Sequence, residues 1–154
     1  IYRNTSHMLA TGKIIYQISP VVRQLQRAAQ KNLKAKVKYS HNEIVMHKYS
    51  ITDFLEDARR DAANNDTVAF HLDSNFLIQN SIELFLKLSN SYQRKPREIP
   101  RILKNINNRF YHLMERFYNS LTLQYKNKKI RKITDFILKR SGGKLPSNWV
   151  LLSK

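Results

Sequence analysis

Eleven carboxylates and five histidines are the groups with which this chain could move a proton or hold a metal. Acid–base or metal-assisted chemistry needs such groups to converge on one point. Asp53, Glu56, Asp57 and Asp61 recur along one helical stretch, a spacing that can build a ligand face. Opposite Phe54 and Leu55, however, they read as the solvated side of an amphipathic helix. No Asp-x-Asp pair occurs. His41, Glu43 and His47 share a short segment whose spacing matches no strong metal motif. His71 and Asp73 are two apart, which on a helix sends them to different faces. The single Gly of Thr11-Gly12-Lys13 makes no phosphate-cradling loop, and the serines lack a nucleophile elbow. With no Cys in the chain, disulfides, thiolate–metal sites and thiol catalysis are all excluded.

The cations offer more. Lys126, Lys128, Lys129, Arg131 and Lys132 fall on the polar side of a helix whose other side carries Ile130, Ile133 and Ile137. They are either a solvated face or a polyanion contact. Tyr92-Gln-Arg94-Lys95-Pro96-Arg97 sets one aromatic and three cations in a proline-fixed turn, where they could grip a phosphate. Tyr111, Tyr118 and Tyr125 recur every seven residues, a pattern that suits packing better than base stacking. His112 follows Arg109 with two residues between. Some small helical RNases pair Arg and His in this order, but with four to six residues between. A helix-surface His is the simpler reading.

The elements that must carry these groups are helices. Ser19-Pro20 is an N-cap and first-turn pair ahead of Val21, Val22, Leu25, Ala28 and Ala29. His41 to Tyr49 alternates weakly and is the one plausible strand. Ser50-Ile-Thr-Asp53 has the form of a capping box. Behind it Ile51, Phe54, Leu55, Ala58 and Ala62 form an amphipathic stripe. Asn64-Asn65-Asp66-Thr67 breaks that helix. A longer one runs from about Val68 to Tyr92, its core face marked by Ile78, Ile82, Phe85 and Leu86. Phe76, Leu77, Leu84 and Leu88 widen the stripe, which predicts a central position. Pro96 and Pro100 bracket the basic turn before a short helix starting at Ile102, Leu103 and Ile106. Phe110, Leu113, Met114, Phe117 and Leu121 predict another helix. The last, about Lys128 to Arg140, buries Ile130, Ile133, Phe136 and Ile137 and stops at Gly142-Gly143. The expected fold is mainly α: an up-and-down bundle of about five to six helices with at most a short N-terminal strand.

Taken in order, several segments resemble the region that follows the catalytic core of small polymerase-β-like nucleotidyltransferases. They are Met8-Leu-Ala-Thr-Gly-Lys-Ile-Ile-Tyr16 with Val22-Arg-Gln-Leu25 and Ala28-Ala29, and Asn65-Asp66-Thr67 before Ile82-Glu-Leu-Phe-Leu-Lys87-Leu. Tyr92-Gln-Arg94-Lys95-Pro96, Asp135-Phe-Ile-Leu, Gly142-Gly143 and Leu145-Pro146-Ser-Asn-Trp149 complete the series. The resemblance implies a division into residues 1–48, a segment leaving the core, and 49–154, a C-terminal helical bundle. It implies a substrate-facing domain that helps transfer a nucleotide from an NTP to an acceptor. Arg94, Lys95 and Arg97, with Lys87 and Tyr92 behind them, would be the nucleotide or acceptor contacts. The family's Gly-Ser…Asp-x-Asp and third carboxylate, which hold its metal ions, are missing. The chain is therefore expected to be a fragment, inactive alone, with Mg²⁺ and NTP belonging only to an intact parent.

Charge sets the rival readings. The net charge is +17, and it is zoned. Residues 1–40 carry eight bases and no acid, residues 41–83 three bases and eight acids, residues 84–154 seventeen bases and three acids. Such a surface attracts polyanions. The rivals are a basic helical nucleic-acid-binding module, and a helical dimerisation or toxin-type RNase-like domain. No apolar run approaches the ~18 residues of a membrane span, and no signal-peptide pattern opens the chain. With the absence of Cys, this predicts a cytoplasmic protein of one domain, or two small ones.

Overall fold

The computed structural model describes residues 3–34, 39–91 and 95–151. Among them lie seven α-helices and no strand. α1 (Arg3–Thr11) and α2 (Val21–Lys34) form a hairpin. The bundle is built from α3 (His41–Ala63), α4 (Thr67–Leu88), α5 (Ile99–Ile106), α6 (Asn108–Tyr118) and α7 (Leu123–Arg140), with a 3-10 turn, Pro96–Glu98, leading into α5.

Most of the bundle helices start or stop for a local reason. Asp66, Asn107 and Thr122 each accept a hydrogen bond from the backbone three residues on, capping α4, α6 and α7. α3, α4 and α7 all end the same way. Asn65 (φ 57°), Asn90 (φ 52°) and Gly142 (φ 93°) take the left-handed conformation just beyond the helix. The next N–H then reaches back: Asp66 to the Asp61 carbonyl at 2.9 Å, Ser91 to Leu86 at 2.8 Å and Gly143 to Leu138 at 2.8 Å.

The expected strand at His41 to Tyr49 is instead the first half of α3. Its cause is a capping box one helix-half earlier than Ser50. The Ser40 hydroxyl accepts from the Glu43 N–H at 3.2 Å, and the Glu43 carboxylate accepts from the Ser40 N–H at 2.9 Å. From there Val45, Lys48, Ile51 and Ala58 turn inward at helical spacing. α3 accordingly runs unbroken across positions 48 and 49.

The core joins α3, α4, α6 and α7 around Ile51, Phe70, Leu77, Phe85, Phe110, Phe117, Ile133 and Ile137. α4 packs against both α3 and α7, while α7 packs against α3, α4 and α6 and so shares the central position expected of α4. Cross-helix contacts give directions. Lys87 near the end of α4 meets His47 near the start of α3, so these two are antiparallel. Arg140 at the end of α7 meets Phe85 and Ser89 at the end of α4, so those two are parallel. Near the same end Trp149 packs on Tyr49, ring centroids 5.3 Å apart, and ties the chain's last described turn to α3.

One predicted stripe is shortened, and α2 forms where expected. Leu121 is 97% exposed, because α6 stops at Tyr118. In α2 only Ala29 is buried. Val21, Val22 and Leu25 stay exposed because, among the described residues, the α1–α2 hairpin packs only on itself. There Asn32 donates to the Ser6 hydroxyl at 2.8 Å and Gln26 to the Gly12 carbonyl at 2.8 Å. Residues 3–11 form a further helix, α1.

Candidate functional site

Of the five residues expected to bind a nucleotide, three are described. Tyr92 and Arg94 lie outside the described residues. Lys95 and Arg97 are exposed at the 3-10 turn before α5. Lys87 is engaged elsewhere. Its ammonium donates to Glu83 at 3.1 Å and to His47 Nε2 at 2.9 Å, and lies 5.6 Å from the Tyr39 ring centroid. An imidazole that accepts from an ammonium is neutral. Burial first, and then Lys87, hold His47 below its ordinary value. The cluster fastens α3 to α4 beside a small cavity of about 350 Å³.

His71 and His112 also have structural partners. His71 Nδ1 lies 2.7 Å from the Thr67 carbonyl and Nε2 2.9 Å from the Lys126 ammonium. The first contact requires Nδ1–H and leaves Nε2 as the acceptor. Asp73 faces away from it, toward Asp61 on α3. Asp61 is thus buried rather than part of a solvated face, and one of its oxygens has no hydrogen-bond partner. Asp73 is pushed up to about 6, by burial and by its hydrogen bond to Asp61. His112 pairs with Glu115 at 2.9 Å on the outer face of α6, where Glu115 also accepts from Tyr111 at 3.0 Å. Among the described residues no three His, Asp or Glu side chains gather as a metal-binding group.

The basic residues, by contrast, are brought together. α7 turns Ile130, Ile133, Thr134, Ile137 and Leu138 into the core. Its opposite side therefore carries Lys128, Arg131, Lys132, Asp135 and Lys139, all exposed. From Lys128 to Lys139 this ridge is about 16 Å long, at 1.5 Å per residue. No carboxylate among the described residues lies within 4.0 Å of any of its four cations.

A groove runs along each flank of the ridge. One, about 640 Å³, lies between α7 and the end of α3, where Lys128 and Arg131 face Arg59 and Arg60. These two arginines are paired to Glu56 and Asp57 at 2.9 and 2.7 Å. The other, about 660 Å³, lies between α7 and the start of α6, where Lys132, Lys139 and Arg140 face Arg109. Tyr125 stands exposed one turn before Lys128, whose ammonium is 5.7 Å from its ring centroid. Sequence reasoning found Lys128, Arg131 and Lys132 as one side of a helix. It missed that Arg109, Lys139 and Arg140 complete a groove with them, because α6 and α7 meet only in space. No family model, curated protein or solved structure matches the chain.

Proposed function

We propose that this chain is a nucleic-acid-binding helical module that holds the sugar–phosphate backbone along α7. The observation that carries this reading is the ridge of four cations without a carboxylate partner, flanked on both sides by basic grooves. Cations already paired inside a protein have little left to offer a phosphate. Unpaired ones exchange their counterions for it, and that release drives association. The rigid α7 backbone fixes their spacing, and the exposed Tyr125 beside Lys128 adds a ring on which a base can stack. The rival reading, a nucleotidyltransferase's helical domain, is supported by the order of sequence motifs alone. Lys87, which it places behind the basic turn, is occupied by His47 and Glu83.

Fluorescence anisotropy with a random-sequence single-stranded oligonucleotide tests the proposal. Affinity is expected to fall at least tenfold between about 50 and 200 mM salt, as several phosphate contacts require. Lys128→Glu with Arg131→Glu should weaken binding at least tenfold further. Lys13→Glu with Lys31→Glu makes the same change in net charge on the α1–α2 hairpin and should do less. Equal losses from the two pairs would reduce the ridge to bulk charge and overturn the assignment. Absence of binding at low salt would end the reading altogether.

A further inference from the structure

The groove between α6 and α7 differs from its neighbour in what lies at its base. Phe85, Phe110 and Phe136 form a compact cluster in which each ring neighbours the other two, Phe85 and Phe136 lying 6.4 Å apart at 42°. Phe85 and Phe110 are 4.4 Å apart at 27°, Phe110 and Phe136 5.1 Å apart at 16°. Phe136 is the ring of the cluster that is only partly buried, and it lines the groove. Arg140 lies over Phe85, 5.1 Å from its centroid. A planar aromatic ligand entering the groove would meet the Phe136 ring, and rings that meet in this way favour an offset stack.

The rest of the lining suits a phosphorylated ligand with such a ring. Arg109, Lys132 and Lys139 surround the space without a carboxylate within 4.0 Å. Arg109 lies in the first turn of α6 and the helix's N-cap, Asn107, lines the groove too, so the positive end of α6 borders it. Asp135, the one acid in the lining, offers an acceptor for sugar hydroxyls or a ring amine. A volume of about 660 Å³ falls within the usual range for small-ligand sites.

From this arrangement we infer that the α6–α7 groove seats one nucleoside phosphate unit. Its base stacks on Phe136, its phosphate lies against Arg109 and Lys139, and Asp135 accepts from the sugar or base. The inference deepens the nucleic-acid reading and rests on it for the source of that unit: a nucleotide within a single strand, because a paired base has no free face to give. A free mononucleotide has the same chemistry, and the test separates the two.

Adenosine 5′-monophosphate, ribose 5-phosphate and inorganic phosphate would each be titrated into the protein, followed by backbone amide NMR. The same single-stranded oligonucleotide would be titrated in parallel. The nucleotide is expected to shift resonances of Arg109, Asp135, Phe136 and Lys139. It should bind at least about fivefold more tightly than ribose 5-phosphate, the low end of one base–aromatic stack. Phe136→Leu, which keeps an apolar side chain under the groove, should abolish that preference while leaving phosphate affinity in place. If that variant misfolds, Asp135→Asn and Arg109→Gln, both on exposed positions, must still weaken the nucleotide. Equal binding of the nucleotide and the ringless sugar phosphate, or shifts confined to the α3–α7 groove, would overturn the inference while strand binding still stood. Nucleotide binding at Phe136 with no strand binding would sustain the groove as a free-nucleotide site and remove the strand reading.

Discussion

Asp61 and Asp73 face each other from α3 and α4, and their cost can be read from the direction of one shift. Burial and the hydrogen bond between them push Asp73 up to about 6 from its ordinary 3.8. A folded-state value above the unfolded one means that the folded state binds the proton more tightly. The resulting stabilisation is fully present below pH 3.8 and lost as pH rises through about 6. At neutral pH the two carboxylates repel, and one Asp61 oxygen is buried without a partner. Asp73→Asn keeps a hydrogen-bonding side chain and removes one charge. It is expected to stabilise the protein by roughly 1 kcal/mol at pH 7.5, with solvent screening allowed for. The gain should disappear by about pH 4, as Asp73 becomes neutral in the wild type too. Thermal denaturation at the two pH values checks this; a variant no more stable than wild type at pH 7.5 would contradict it. His47 has the opposite sign. Held below its ordinary 6.5, its contribution is present above that value and lost as pH falls. It is common to both proteins and cancels in the comparison.

At the scale of the helices, two segments of the sequence carry the same signal, and only one acts. Ser40-x-x-Glu43 and Ser50-x-x-Asp53 both have the form of an N-terminal box, ten residues apart. The first caps α3; Ser50 lies inside the helix. Ser40→Ala should therefore cost about 1 kcal/mol, while Ser50→Ala should change stability by less than about half of that. Urea unfolding of the two variants measures the difference, and a larger loss at Ser50 would refute the placement of the cap. This competition also explains where the sequence was legible. The stripes of Ile51, Phe54, Leu55 and Ala58, and of Ile130, Ile133 and Ile137, are dense enough to show their period. So are the stops at Asn64-Asn65 and Gly142-Gly143, where the backbone needs a residue that tolerates positive φ. His41 to Tyr49 was misread because its inward positions include Lys48, a charged residue that turns inside and breaks the apolar pattern. Asp61 was misread as solvated because its partner, Asp73, comes from the next helix. Arg109 and Lys139 are thirty positions apart; no spacing rule links them, and only the packing of α6 on α7 does.

For the molecule as a whole, the charge that favours a polyanion opposes the fold. A net +17 on 154 residues means self-repulsion in the compact state. The ion pairs among the described residues are few and mostly within one helix. Such exposed pairs contribute only about 0–1 kcal/mol each. Repulsion across the surface should therefore outweigh them. Salt then acts in two opposite senses on one set of side chains. It screens the repulsion among Lys128, Arg131, Lys132 and Lys139, so folding gains. It also competes for the phosphate contacts that the same residues make on the proposed reading, so binding loses. The melting temperature of the free protein is expected to rise between about 50 and 500 mM sodium chloride, while oligonucleotide affinity falls over the same range. Lys128→Glu with Arg131→Glu should flatten both responses together, because it removes repulsion and contacts at the same positions. A melting temperature that falls with salt would mean that attraction between charges dominates the folded state. In that case the cations of α7 would already be satisfied within the protein, and the argument that they are held open for a phosphate would fail with it.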